Sequence, residues 1–356
     1  MFENILKKQL KQYPEQQPQD VYKMIYQGVY AGGHIIKDKA SHLTWLIQEM
    51  EAVKDRDFKR PECISNAYMR LHLDGLKKSP IHRDTLEKMI LLSAEKNQGS
   101  LAQFEERLSL WQALVNREDT HEFIARMKAQ NYPLVHHSEA YRQAYHPAYR
   151  IIDFLYGFYF VVFEKIDALI NHQGHVVIAI DGDAGSGKST LARLLASIYP
   201  SSIIPMDHFF LRNEQRTEDR LHEVGGHIDY ERFLTDVIIP LKEHRAISYR
   251  PYRCQIHHYE DTIQVLENVV TIIEGSYSLH PSFGDYCDIS VFLNVEDKVQ
   301  LTTIEARDGK YVLSRFIKEW IPKEKDYAKT FKIAEKADFT FDTTVIFNQS
   351  INSRLL

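Results

Sequence analysis

Two hydrophobic rhythms divide the chain. Up to about residue 170, apolar positions recur every three or four residues, the spacing that lays one stripe along a helix. Phe2 to Leu10 begins such a segment, ended by Pro14 and Pro18, and Val21 to Tyr30 gives a second, closed by Gly32 and Gly33. A third is expected to begin near Asp38, with Leu43, Leu46, Ile47 and Met50 on one face. Further helical segments are expected at Ala67–Leu76, Thr85–Ala94, Leu101–Leu114 and His121–Met127. No fixed period repeats, which argues against a solenoid. A Tyr- and His-rich stretch from Tyr132 leads into the apolar segment Ile151 to Ile170. Its uninterrupted run, Phe154 to Phe163, is about half of what a bilayer requires. Asp153, Glu164, Lys165 and Asp167 make it a core or interdomain helix.

After Asn171 to Gly174 the rhythm changes. Val176–Ile180 is a short β-branched run bounded by polar residues, the pattern of a strand covered on both faces. Further strands are expected at Ser202–Pro205, Val269–Ile273, Ile289–Leu293 and Phe339–Phe341. Helical spacing separates them: from Thr190 onward, then Tyr230–Val237, Lys298–Arg307 and Val312–Phe331, the last broken or bent at Pro322. Alternating strands and helices imply a parallel sheet with right-handed crossovers. The expected organisation is an all-helical N-terminal domain, 1–171, followed by an α/β domain, 172–356.

The first of these strands runs into Gly182, Asp183, Ala184, Gly185, Ser186, Gly187, Lys188, Ser189 and Thr190. This is G-x-x-x-x-G-K-S between a strand and a helix, the context that makes a P-loop (Walker A). Glycines let backbone N–H groups turn inward around an anion, the helix N-terminus adds partial positive charge, and Lys188 adds a full one. Ser189 is placed to reach a Mg²⁺ shared with a nucleotide's phosphates. The α/β domain is therefore expected to be a P-loop NTPase sheet flanked by helices.

Composition narrows the setting. The 356 residues are 44% hydrophobic and 26% charged, with a net charge of −5, so no overall basic field recruits nucleic acid. Cys63, Cys254 and Cys287 are far apart and outside any C-x-x-C spacing, which suggests reduced thiols. The N-terminal stretch lacks the apolar core of a signal peptide. A cytoplasmic protein without membrane association is expected, and homo-oligomerisation is left open.

In open parallel sheets, ligands sit beyond the carboxyl ends of the strands. Asp207 follows the second strand, where it would deprotonate or orient an acceptor hydroxyl, and Glu274 ends the third, where it would hold the magnesium shell. Either alone would read as a turn or cap residue. Arg307 and Arg315 could neutralise charge that grows during phosphoryl transfer, whereas the neighbouring Lys310 and Lys318 read as a solvated charged face. Arg212, Arg216, Asp229, Arg250, Tyr252, Arg253 and His257 lie in stretches rich in Arg, His and Tyr that suit an anionic or hydroxylated acceptor. His34, His136, His137 and His146 show no metal-ligand spacing and read as structural.

These motifs, in this order, resemble the uridine kinase and phosphoribulokinase group of P-loop kinases: G-D-A-G-S-G-K-S-T, P-M-D-H-F-F, E-G-S-Y, R-D at a helix end and A-D-F-T-F-D. The resemblance covers roughly residues 174 to 345. It implies that Asp207 activates the acceptor hydroxyl and that Arg307 clamps phosphate from a lid. The same half is similar to bacterial proteins of a uridine kinase family sharing F-F-L-R-x-E-Q-R-T, G-G-x-x-D-Y-E-R-F and E-G-x-Y-S-L-H-P. G-G-H-I-I-K-D and H-H-S-E-A-Y-R accompany those phrases in the N-terminal half.

The chain also departs from uridine kinases. Ile304 replaces the first arginine of R-x-x-R-D, the lid lacks R-G-R, and Tyr252, Arg253 and His257 match the nucleoside element Y-D-x-x-x-H-x-R loosely, with Tyr259 for its arginine. The expected function is an ATP- and Mg²⁺-dependent kinase for a small-molecule hydroxyl. The alternative is a nucleotide-sensing module read by the helical domain, with little acceptor phosphorylation.

Overall fold

The computed structural model describes residues 2–33, 41–54, 57–96, 99–254 and 256–348. His34 and the helix start near Asp38 lie outside them. The chain divides into two compact units, Met1–Asp167 and Ala168–Leu356.

The first unit contains the expected helices at Phe2–Gln12, Pro18–Tyr30, Arg83–Glu95, Leu101–Val115 and Glu118–Ala129, with a further helix at His42–Ala52. Their apolar stripes meet in a core that includes Leu6, Tyr22, Ile25, Phe104, Trp111 and Ile124. The all-helical expectation needs correction, because the unit also holds an antiparallel sheet of β1 (Glu62–Cys63), β2 (Tyr68–His72) and β3 (Tyr149–Asp153). Strand β2 replaces most of the helix expected at Ala67–Leu76, and β3 takes the start of the apolar segment expected at Ile151. Both stretches are short enough to serve either period. What decides is pairing across a long sequence separation, with Tyr68 opposite Asp153 and His72 opposite Tyr149. The apolar segment becomes helical only after Asp153, whose carboxylate caps it by accepting from Leu155 N–H at 2.8 Å.

The second unit is built on a parallel sheet. Its strands are β4 (Val176–Gly182), β5 (Ser201–Pro205), β10 (Val270–Glu274), β11 (Ile289–Asn294) and β12 (Phe339–Asp342). They lie in the order β12-β11-β4-β10-β5. All seven residues of β4 and all five of β10 are buried, as strands covered on both faces must be. The four short strands between β5 and β10 form two hairpins: β6 (Ile247–Tyr249) pairs with β9 (Ile263–Val265), and β7 (Tyr252–Arg253) with β8 (His258–Tyr259).

The last long helical region runs Asp297–Arg315, a π turn Phe316–Trp320, then Ile321–Phe331. Pro322 sits in the first turn of the last helix, where a missing N–H costs nothing. A second break lies at Gly309, whose φ of 82° and ψ of 167° are non-helical. Among the described residues no helix is long and apolar enough to cross a membrane.

Candidate active site

The loop between β4 and the helix Lys188–Ala196 is shaped by three glycines in the left-handed half of φ: Gly182 at 139°, Gly185 at 73° and Gly187 at 96°. A side chain at Gly182 would run into the Leu293 carbonyl of the neighbouring strand. Gly187 is the residue before the first helical turn, so Lys188 and Ser189 present N–H groups that no carbonyl of the helix satisfies, while Thr190 N–H donates to the Gly187 carbonyl at 3.0 Å. Such a turn favours an anion. The helix starts at Lys188, two residues earlier than Thr190.

Lys188 is buried, and its ammonium donates to the carbonyls of Gly182 at 2.8 Å and Asp183 at 2.9 Å and to Ser276 Oγ at 3.3 Å. The charge is thereby held across the mouth of the loop. Ser189 Oγ donates to Glu274 Oε1 at 3.0 Å. Burial pushes the Glu274 carboxyl above its ordinary range, opposed by the Ser189 hydrogen bond, and the negative charge of Asp207 adds to the rise.

Strand register brings these groups together. In β10, Glu274 stands opposite Ile180 of β4 on one side and Pro205 of β5 on the other. The loop, Glu274 and Asp207 therefore leave the carboxyl ends of three adjacent strands. Asp207 is exposed on the short 3₁₀ turn Met206–Phe209 that follows β5.

No protein-family profile matches the chain. Curated relatives do match. The uridine kinase of Lactiplantibacillus plantarum is 26% identical over 152 residues, 39% of this chain and 70% of that protein. That of Alkaliphilus metalliredigens is 27% identical over 141 residues, 37% of this chain and 68% of that protein. The second unit is similar to uridine kinases of the P-loop kinase group. Among solved structures, a possible uridine kinase from Bacillus stearothermophilus aligns over its whole length with 51% of this chain, at 19% identity and a TM-score of 0.38. A shikimate kinase from Bacteroides thetaiotaomicron aligns over 96% of its length with 51% of this chain, at 20% identity and a TM-score of 0.24. With scores this low, the fold rests on the strand order described above.

The cations of the second unit are less committed than its phosphate loop. Arg307 makes three hydrogen bonds to the adjacent Asp308 carboxylate, the shortest 2.7 Å, and lies 6.0 Å from the Phe316 ring. The Asp308 bond, with smaller pulls from Asp207 and Glu324, holds its guanidinium above the ordinary range. Arg307 is thus within the field of the proposed base. Arg315 instead stacks over Trp320 at 4.8 Å and pairs with Glu319 at 3.9 Å in its own helical segment.

Acceptor-side candidates are divided too. Arg253 pairs with Glu260 at 2.9 Å and feels the charge of Asp207. Tyr252 is buried against Tyr259, with ring centroids 5.3 Å apart. His257 is exposed in the β7–β8 turn, with φ 52°. Arg212 folds onto Gln215 at 3.0 Å and Glu214 at 3.2 Å. Asp229 is buried and caps the helix Tyr230–Phe233, accepting from Arg232 N–H at 3.1 Å and from Gln215 at 2.9 Å. Its carboxylate is used within the fold, which answers to the turn-and-cap chemistry of aspartate.

Three residues that sequence reasoning missed complete the loop. Asp181, the residue before Gly182, is buried and accepts from Gly182 N–H at 2.7 Å, Tyr277 N–H at 3.1 Å, Leu279 N–H at 2.9 Å and the Tyr327 hydroxyl at 2.8 Å. It ties the loop to the β10 turn. Glu324 and Ser276 meet at the loop's open end: Glu324 accepts from Ala184 N–H at 2.9 Å and from Ser276 Oγ at 2.9 Å. Asp181 was visible as a charge inside a buried run. Glu324, arriving from a helix far along the chain, had no local signal.

The histidine reading concerns the first unit. His137 is bonded to Asp20 at 2.8 Å and the Tyr149 hydroxyl at 2.7 Å, the arrangement of a structural histidine. Among the described residues no group of three or more His, Cys, Asp or Glu side chains is arranged to hold a metal.

Proposed function

We propose that the second unit, taken as the domain 172–356, transfers the γ-phosphoryl group of ATP to the hydroxyl of a small-molecule acceptor, uridine or a related metabolite. The observation that carries this reading is the strand register that sets Glu274 between the phosphate loop and the turn bearing Asp207. The names of the uridine kinase relatives support the acceptor class. Free cysteines suit a reducing compartment such as the cytoplasm.

The residues divide the work by position. Loop N–H groups and Lys188 hold the nucleotide's phosphates, and the left-handed glycines let the backbone approach them. Asp207 accepts the proton of the acceptor hydroxyl as that oxygen attacks. Arg307, once released from Asp308, balances charge on the transferred group. Ser189 and Glu274 offer a hydroxyl and a carboxylate oxygen 3.0 Å apart, hard oxygen donors that suit magnesium. When bound there, magnesium would neutralise charge between the β- and γ-phosphates.

The test is acceptor-dependent ADP release across nucleosides, sugars, phosphorylated sugars and pantothenate-like acids. Asp207→Asn should lower turnover with the productive acceptor by about 10² to 10⁴-fold while leaving nucleotide affinity intact. Turnover unchanged by that substitution would remove Asp207 as base. Tight nucleotide binding with no productive acceptor would favour a sensing module instead.

A further inference from the structure

The phosphate loop already has an anion of its own. Glu324 places one carboxylate oxygen on Ala184 N–H at 2.9 Å and the other on Ser276 Oγ at 2.9 Å. That hydroxyl is 3.3 Å from the Lys188 ammonium, so carboxylate, hydroxyl and ammonium share one corner of the loop. Burial holds this carboxyl group above its ordinary range, with Lys188 the strongest opposing influence.

This corner is where a triphosphate differs from a diphosphate. In a P-loop the lysine reaches the β- and γ-phosphates, while the helix N-terminus takes the inner ones. Glu324 reaches the lysine's side of the loop through Ser276, whose hydroxyl accepts from Lys188 at 3.3 Å and donates to Glu324 at 2.9 Å. A γ-phosphate would meet Glu324 there, whereas a diphosphate ends one phosphoryl group short. Two anions brought to one ammonium beside each other repel strongly at low dielectric.

We propose that Glu324 is a specificity-determining residue that sets the site's relative affinity for nucleoside triphosphate and diphosphate, its carboxylate competing with the γ-phosphate for the corner beside Lys188 and Ser276. The inference rests on the kinase reading above. Tyr327, one helical turn further on, is bonded to Asp181 at 2.8 Å, so the helix Ile321–Phe331 is pinned and the exchange falls to the Glu324 side chain. After transfer the carboxylate returns to Ala184 beside the diphosphate. The triphosphate must displace it, and the product need not.

The experiment is calorimetric titration of the full chain with ADP and with AMP-PNP, in the presence of magnesium, for the native protein, Glu324→Ala and Glu324→Gln. Glu324→Ala should shift the ADP-to-AMP-PNP affinity ratio toward the triphosphate by about tenfold or more, with ADP affinity held within about twofold. Glu324→Gln, which keeps the shape and loses the charge, should shift it in the same direction. ADP binding in each variant reports that the loop is intact. An unchanged ratio in both variants, or weaker AMP-PNP binding in Glu324→Gln, would overturn the proposal while leaving the kinase reading standing. Failure of the native protein to bind either nucleotide would instead remove the phosphate site itself, and Glu324's role with it.

Discussion

On the phosphate side of the sheet's carboxyl edge, Asp181, Lys188 and Glu274 are buried and held by backbone groups or by the Ser189 hydroxyl of the following helix. On the acceptor side, β7 and β8 contribute two residues each, and the Arg253–Glu260 pair that follows their course is 41% and 43% exposed. The two sides answer different demands. Phosphates are the same in every nucleotide, so a main-chain cradle backed by a fully buried strand can be rigid. An acceptor is recognised by side chains on short hairpins, which can change without disturbing the sheet. This separates what the chain shares with uridine kinases from where it departs from them, at Arg253 and Tyr259.

The comparison predicts unequal penalties. Lys188→Ala should be the most damaging, lowering turnover by about a thousandfold, because it removes a charge fixed on the transferred phosphate. It should also weaken nucleotide binding in titration. Unchanged nucleotide affinity would break the phosphate-side account at its centre.

Gly182→Ala should follow, as a loss of stability. Its φ of 139° is strained for any side chain, and the added methyl meets the Leu293 carbonyl. Strain and overpacking together should cost about 3 kcal/mol in urea denaturation. Gly174 provides the control: φ is 78° but nothing lies within 4 Å of an added Cβ, so Gly174→Ala should cost only about 1 kcal/mol. Equal costs would mean that close packing of β4 against β11 does not set the loop.

The same contrast governs what the sequence made legible. The central strands of the parallel sheet stand out because apolar runs buried on both faces have no other good home, and Val176–Ile180 and Ile289–Leu293 fall inside β4 and β11. The P-loop was legible because its spacing is dictated by phosphate geometry. The first unit's sheet was not, since β2 and β3 meet only across a long stretch of intervening helices. Glu324 escaped for the same reason: a lone glutamate in an exposed-looking helix gains meaning only when folding brings it to Ala184. Asp229 shows the opposite error, a carboxylate in a suggestive phrase whose oxygens are taken up by a helix cap and Gln215.

A pH experiment sharpens the comparison on the acceptor-facing side. His227 Nε2 lies 2.6 Å from the Lys323 ammonium, and burial together with that charge lowers the imidazole pKa to about 4. An unfolded histidine titrates near 6.5. Between those values the unfolded chain binds more protons, so the contribution to stability is fully present above about pH 6.5 and falls as pH drops toward about 4. The native protein should lose about 2 kcal/mol across this window that His227→Gln retains, read by urea denaturation at pH 7 and pH 4.5. Parallel losses in the two proteins would place the acid sensitivity elsewhere.

Arg253→Ala should give the smallest effect and decide how deep the difference runs. Its guanidinium is held above the ordinary range chiefly by the Glu260 hydrogen bond, and both partners face solvent. Exposed pairs contribute little, on the order of 1 kcal/mol or less. If Arg253 meets the acceptor, its removal should raise the acceptor KM by less than about tenfold and leave nucleotide affinity unchanged. Salt then separates two causes. An anionic acceptor would lose most of that difference on going from about 0.05 to 0.5 M salt, because exposed charges are screened over about a Debye length, whereas a neutral hydroxylated acceptor held by directed hydrogen bonds would keep it. A loss of turnover comparable to that of Lys188→Ala would show the acceptor side to be as rigidly built as the phosphate side, and the contrast between them would fall.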